Sequence, residues 1–216
     1  PGNPTGKVLG IEHLAKVVSW AREHGVVVAS DESYAELDWR PRAAGSREPP
    51  TTPSILDPRV TGGSHEGLLC VYSLSKQSNL AGYRGAFVAG DPVLVGQLLE
   101  VRKHAGMIVP WPVQRAMLAA LSDADHVVAQ KQRYAARRAA LLPAVESFGL
   151  RVDDSEAGLY LWASAGEDCR VSIERLADRG ILAAPGDFYG PAGRQHVRIA
   201  LTATDERIEA AVRRLG

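Results

Sequence analysis

Apolar residues recur at three-to-four spacing near the start of the chain. Ile11, Leu14, Val17, Val18 and Ala21 share one face of a predicted helix, and Gly25 suits its C-terminal cap. The helical period then gives way to the continuous run Val26-Val27-Val28-Ala29, which predicts a strand buried on both faces, as in a parallel sheet. Residues 39–66 are proline-rich and almost aperiodic, so they read as a long surface excursion with one short helix. Strands are predicted at 68–72 and 85–89, and helix alternating with buried strand indicates an α/β layer. From Pro92 the pattern is helical: 93–104, 113–123 and a long segment at 124–148 in which Pro143 marks a break or kink. After Gly149 come short strands (150–154, 159–164, 181–184, 196–201) mixed with two helices. The last helix starts at Thr204 as N-cap, with Asp205 and Glu206 placed to complement its dipole. These patterns divide the chain into a domain at 1–124, a linking helix at 125–148 and a smaller α/β domain at 149–216.

Composition narrows the function. The 216 residues carry 25 basic and 25 acidic side chains with no sustained run of either sign, which argues against a nucleic-acid or anionic-membrane partner. Two cysteines, Cys70 and Cys169, form neither a metal-type spacing nor a disulfide framework, as expected in a reducing cytoplasm. No apolar run approaches the roughly 20 residues that span a bilayer. The opening PGNPTGK begins on a turn without an initiator methionine and reads as the later part of a longer chain.

Four clusters carry candidate chemistry. Asn3-Pro4-Thr5-Gly6 is turn chemistry, either a plain loop or a turn that aims the Asn3 amide at a ligand. Asp31-Glu32-Ser33-Tyr34 follows a predicted strand, and ligands in open parallel sheets sit beyond the carboxyl ends of strands; Asp31 could equally cap the next segment. Ser73, Ser75, Lys76 and Arg84 follow the next strand. The serines and Arg84 suit a phosphate, and Lys76 is either a surface charge or a reactive amine. Arg198 alternates with Val197 and Ile199, so it either faces solvent or clamps a carboxylate as a two-pronged fork.

In this order the clusters NPTG, D-x-x-Y, S-x-S-K with an arginine eight residues on, and V-R-I resemble the class I/II, fold-type I aminotransferases that use pyridoxal 5′-phosphate (PLP). The resemblance implies the C-terminal part of that α/β fold: part of a mostly parallel large-domain sheet plus a smaller α/β domain. It implies that Lys76 bonds the cofactor and shuttles a proton, and that Asp31 pairs with the pyridine nitrogen. Asn3 and Tyr34 would hold the ring oxygen, Ser73, Ser75 and Arg84 the phosphate, and Arg198 the substrate α-carboxylate. It further implies a homodimer acting on an amino acid and a 2-oxo acid. A glycine-containing phosphate loop and a ring-stacking aromatic would lie outside these residues, so the 216 residues alone are expected to turn over little. A PLP C–S lyase would use the same constellation, and a transcription factor with an aminotransferase-like sensing domain is the alternative from another class. SLSKQSNLAGYRGAFVAGD with KHAGMIVPWPVQ is similar to actinobacterial N-succinyldiaminopimelate aminotransferases. Met107, Trp111 and the Pro185-Gly186-Asp187-Phe188 turn border a plausible pocket but read as core packing.

Overall fold

Helix α1 (Ile11–Glu23) buries Leu14, Val18 and Ala21, and Gly25 follows it in the left-handed conformation. The computed structural model describes residues 1–41 and 52–216. Strand β1 (Val28–Asp31) starts two residues later than the apolar run suggested, and its burial alternates. Val26 and Val27 are 47% and 50% exposed, which corrects the expectation of a strand buried on both faces. The reason is its place at the edge of a three-stranded sheet, where it pairs with β2 (Leu68–Ser73) alone among the described residues. β1 and β2 run parallel, with Asp31 opposite Val71, whereas β3 (Ala86–Gly90) pairs antiparallel to β2, so this sheet is mixed.

The segment between β1 and β2 departs from its reading as surface. Residues 42–51 lie outside the described residues. Ile55 is 1% exposed, and with Val60 of α2 (Pro58–Thr61) it joins Leu14, Val18, Leu68 and Cys70 in one core cluster. Burying such a side chain is worth about 2 kcal/mol, more than surface turn chemistry offers. The buried Glu32 carboxylate fastens this segment by accepting from the Ile55 backbone N–H at 2.7 Å and from Ser54 Oγ at 3.1 Å.

Beyond β2 come α3 (Leu74–Gln77), α4 (Pro92–His104), α5 (Trp111–Leu121) and α6 (Asp125–Ser147). Asp91 caps α4 by accepting from the Val93 and Leu94 N–H groups. Pro143 lies inside α6 without ending it. The remainder comprises β4 (Arg151–Asp153), β5 (Tyr160–Ser164), α7 (Cys169–Asp178), β6 (Ala184–Pro185), β7 (Val197–Ala200) and α8 (Asp205–Leu215). Its four strands form an antiparallel sheet in the order β4-β5-β7-β6. Leu161, Ala163, Val197 and Ile199 are buried and share one face of that sheet. Thr204 stands at the N-cap of α8 but makes no side-chain cap bond; Glu206 instead is held below its ordinary range by its own backbone N–H and then by the Thr204 hydroxyl.

Contacts divide the chain into two compact units. An N-terminal unit comprises Leu9–Asp38 and Ala44–Val128, and a C-terminal unit comprises Pro1–Val8, Trp39–Ala43 and Ala129–Gly216. The opening segment groups with the last third of the chain because its backbone bonds to residues 155–157: Ser155 N–H donates to Thr5 O and Ala157 N–H to Gly6 O. Among the described residues no helix is long and apolar enough to cross a membrane.

Candidate active site

The N-terminal unit carries six of the eight candidate residues, at or near the ends of its strands. In a parallel pair adjacent strands lie about 4.8 Å apart, so the Asp31–Val71 register sets the end of β1 beside the end of β2. Asp31 is exposed, and its Oδ1 accepts from the Ser33 backbone N–H at 3.0 Å and from Ser33 Oγ at 2.6 Å. Both bonds fall on one oxygen and orient the other. Ser73 ends β2 and caps α3; its Oγ lies 2.9 Å from Ser75 Oγ and accepts from the Ser75 N–H. Lys76, half-buried on α3, places Nζ 5.9 Å from the centre of the Tyr34 ring, a cation over an aromatic face.

Arg84 comes close to Ser73 through the backbone. Ser73 pairs with Ala86 in the sheet, Leu74 N–H donates to Gly85 O, and Arg84 is the residue before that glycine. Arg84 is left-handed (φ 54°) and its side chain donates to Ala81 O at 2.9 Å, leaving the rest of an exposed guanidinium facing outward. Beneath this edge, Tyr72 stacks on Phe87 at 5.3 Å, and burial is the main cause that pushes its phenol upward. Burial likewise pushes the Cys70 thiol up to about 12, with the Glu32 charge adding to it.

The C-terminal unit holds the other two. Arg198 donates from Nη1 to Asn3 Oδ1 at 3.1 Å, and its guanidinium lies 4.0 Å from the Tyr160 ring centre and 5.2 Å from that of Tyr189. Its Nε is buried without a hydrogen-bond partner. Asn3 reaches it because Gly6, at φ +69°, lets the turn close on residues 155–157, where a Cβ would sit 2.5 Å from Ala157 O. Asp154 and Ser155 are themselves left-handed, at φ 52° and 51°.

Several residues that build these two clusters escaped the sequence. Ser33 had a local signal, a hydroxyl two residues after an aspartate, the spacing of a side-chain turn. Tyr160, Tyr189 and Ser155 had none: strand register places Tyr160, and the turns after β4 and β6 place the other two. Met107, Trp111 and Phe188 do not pack in a core: Trp111 is 68% and Phe188 70% exposed, and Met107 is also exposed. A cavity of about 650 Å³ in the C-terminal unit, bordered by Leu141, Ile199, Arg207 and Leu215, contains none of the candidate residues.

The donor set has a definite chemistry. A lysine amine beside an aromatic ring, a carboxylate on the neighbouring strand end, and two hydroxyls next to an arginine fit an aldehyde, a basic ring nitrogen and a phosphate, the three handles of PLP. The mixed α/β fold is that of the C-terminal part of a PLP-dependent transferase. Comparison with known proteins gives the family: residues 1–215 match the class I and II aminotransferases, and the chain belongs to that family, whose members depend on PLP. It is 62% identical over 215 residues to a probable aminotransferase of Mycobacterium tuberculosis, covering 100% of this chain and 49% of that protein. It is 56% identical to the 4-dedimethylamino-4-oxo-anhydrotetracycline transaminase OxyQ of Streptomyces rimosus, covering 100% of this chain and 57% of that one. A solved structure of a probable N-succinyldiaminopimelate aminotransferase from Thermus thermophilus superposes with a TM-score of 0.82 at 29% identity, over 100% of this chain and 56% of its own. The chain spans about half the length of the curated relatives it matches first.

Proposed function

We propose that this chain holds the cofactor and substrate carboxylate in a PLP-dependent aminotransferase that moves an amino group between an amino acid and a 2-oxo acid. The observation that carries the reading is the parallel β1–β2 pair, which brings Asp31 and the segment bearing Lys76 to one sheet edge within one unit. When bound, the cofactor supplies an electron-poor ring that accepts the electron pair left on the substrate α-carbon.

The residues divide the remaining work. Lys76 would hold the cofactor and move the proton at the substrate α-carbon. Asp31 would keep the ring nitrogen protonated, and Ser33, bonded to Oδ1, fixes the carboxylate and leaves Oδ2 free of that contact. Tyr34 would donate to the ring oxygen. Ser73, Ser75 and Arg84 bind the phosphate by charge-assisted hydrogen bonds. Arg198 takes the α-carboxylate on its fork, and Asn3 steadies one prong.

For the substrate pair we infer N-succinyl-LL-diaminopimelate with 2-oxoglutarate and glutamate, and a homodimer as the working assembly. The support is the SLSKQSNLAGYRG stretch and the likeness to the Thermus enzyme. The test uses the complete polypeptide with PLP. Glutamate alone converts the bound cofactor to its amine form, and 2-oxoglutarate reverses the change. Release of pyruvate and ammonia from cystathionine without that conversion would identify a C–S lyase instead. A succinylated diaminopimelate turned over no better than a generic amino acid would remove the substrate assignment and leave the reaction type standing.

A further inference from the structure

The antiparallel sheet of the C-terminal unit has a polar and aromatic face opposite its buried aliphatic one. In register across β4, β5, β7 and β6 stand Asp153, Trp162, Arg198 and Ala184. Tyr160 lies two residues from Trp162 and His196 two from Arg198, so both neighbour this row. The His196 imidazole stacks flat on the Trp162 indole, with centroids 4.8 Å apart and planes 2° apart. The far side of the ring system is pinned by charge: His196 Nε2 lies 2.9 Å from Asp153 Oδ2, and Arg151 donates to both oxygens of the same carboxylate. A carboxylate only accepts, so Nε2 carries the proton. Nδ1 is buried with no partner, a cost that a fold keeps where geometry matters.

The contact then passes toward the arginine. Tyr189 meets Trp162 edge-on at 5.8 Å and lies 5.2 Å from the Arg198 guanidinium. The loop that carries Tyr189 is clamped where Gly186 and Gly193 touch: a Cβ on Gly186 would stand 2.1 Å from Gly193 O and 2.9 Å from the Trp162 ring. Gly186 N–H also donates to His196 O, and His196 N–H to Gly193 O. Arg198 makes one side-chain hydrogen bond, to Asn3, among those described, and lies over the Tyr160 and Tyr189 rings.

We infer that His196 is a positioning residue for substrate binding, which, anchored on Asp153, holds Trp162 and Tyr189 so that the fork of Arg198 presents correctly to the substrate carboxylate. The inference rests on the carboxylate role proposed for Arg198 and adds the device that sets its direction. Loss of the imidazole opens a gap beside Trp162, and a displacement of the guanidinium by a fraction of an ångström weakens a two-pronged hydrogen bond. The α-carboxylate neighbours the reacting α-carbon but exchanges no bond in the transfer, so the loss of its binding falls on KM rather than kcat.

The test measures kcat and KM for glutamate in the complete polypeptide with PLP bound. His196→Ala raises KM about tenfold with kcat within about twofold, and His196→Phe, which keeps a flat ring on the indole, stays within about threefold of the parent KM. Arg198→Lys separates the two levels of the argument. If it raises KM while His196→Ala and His196→Phe leave KM at the parent value, the positioning role is overturned and the carboxylate role survives. If Arg198→Lys leaves KM unchanged, the carboxylate role falls and the inference with it. Should His196→Ala fail to fold, Asp153→Asn carries the test: it loosens the imidazole without removing a ring, a KM rise of about threefold supports the inference, and an unchanged KM overturns it.

Discussion

Gly6→Ala probes how the opening turn is tied to the C-terminal unit. Gly6 is buried at φ +69°, and a Cβ would lie 2.5 Å from Ala157 O and 2.9 Å from Ser155 Cα. Both obstacles are backbone atoms, so no side chain can swing aside and the turn must lift. Lifting it weakens the bonds Ser155 N–H to Thr5 O at 2.8 Å and Ala157 N–H to Gly6 O at 2.9 Å. The left-handed alanine costs about 1–2 kcal/mol. Two weakened backbone hydrogen bonds add about 1 kcal/mol each, for a total of roughly 3–4 kcal/mol. Gly166→Ala is the matched control: its φ is +76° but nothing lies within 4 Å of the added carbon, so only the conformational penalty applies. Urea unfolding followed by circular dichroism should therefore show Gly6→Ala as the more destabilised by about 2 kcal/mol. In the complete polypeptide, Gly6→Ala should also raise KM for glutamate, because Asn3 loses its place against Arg198. Equal losses in the two variants would refute the close approach as the reason for glycine at position 6.

Two further outcomes follow from the site's surroundings. Cys70 is buried with its thiol pushed up to about 12, so it should resist a thiol reagent at pH 8 in the folded protein; Glu32→Ala, which orphans the Ile55 N–H, should speed its modification about a hundredfold through local opening. Asp153 is held down to about 2 by the Arg151 hydrogen bonds and secondarily by His196. A depressed carboxylate contributes stability that is complete above its unfolded value near 3.8 and is lost as pH falls toward 2. After allowance for solvent screening the loss is about 1 kcal/mol, and Asp153→Asn should abolish that part of the acid dependence; an unchanged acid limb would contradict it.

Local signals made much of the fold legible. The 3.6-residue period of α1 and the alternation of Val197, Arg198 and Ile199 follow from burial on one face, and their elements appear where the pattern places them. The turns and strand ends that carry the motif residues were legible for a different reason: turn residues advertise where a chain reverses. What failed needed neighbours. Val26 and Val27 looked buried because an apolar run does not reveal whether its strand is central or at an edge. Ile55 and Val60 looked exposed because a proline-rich, aperiodic segment gives no local sign that its short helix and the turn before it pack into the core. The bonds of Pro1–Val8 to the last third span about 150 residues, and the ring system around Arg198 joins side chains from separate strands and turns; no local window contains either.

The most direct measurement is covalent. Borohydride reduction of the complete polypeptide saturated with PLP, followed by peptide mapping, should place the pyridoxyl group on Lys76, and Lys76→Ala should take up none. A reduced adduct recovered on Lys7, Lys16, Lys103 or Lys131 in its place would contradict the central claim that the ends of β1 and β2 form the cofactor's seat.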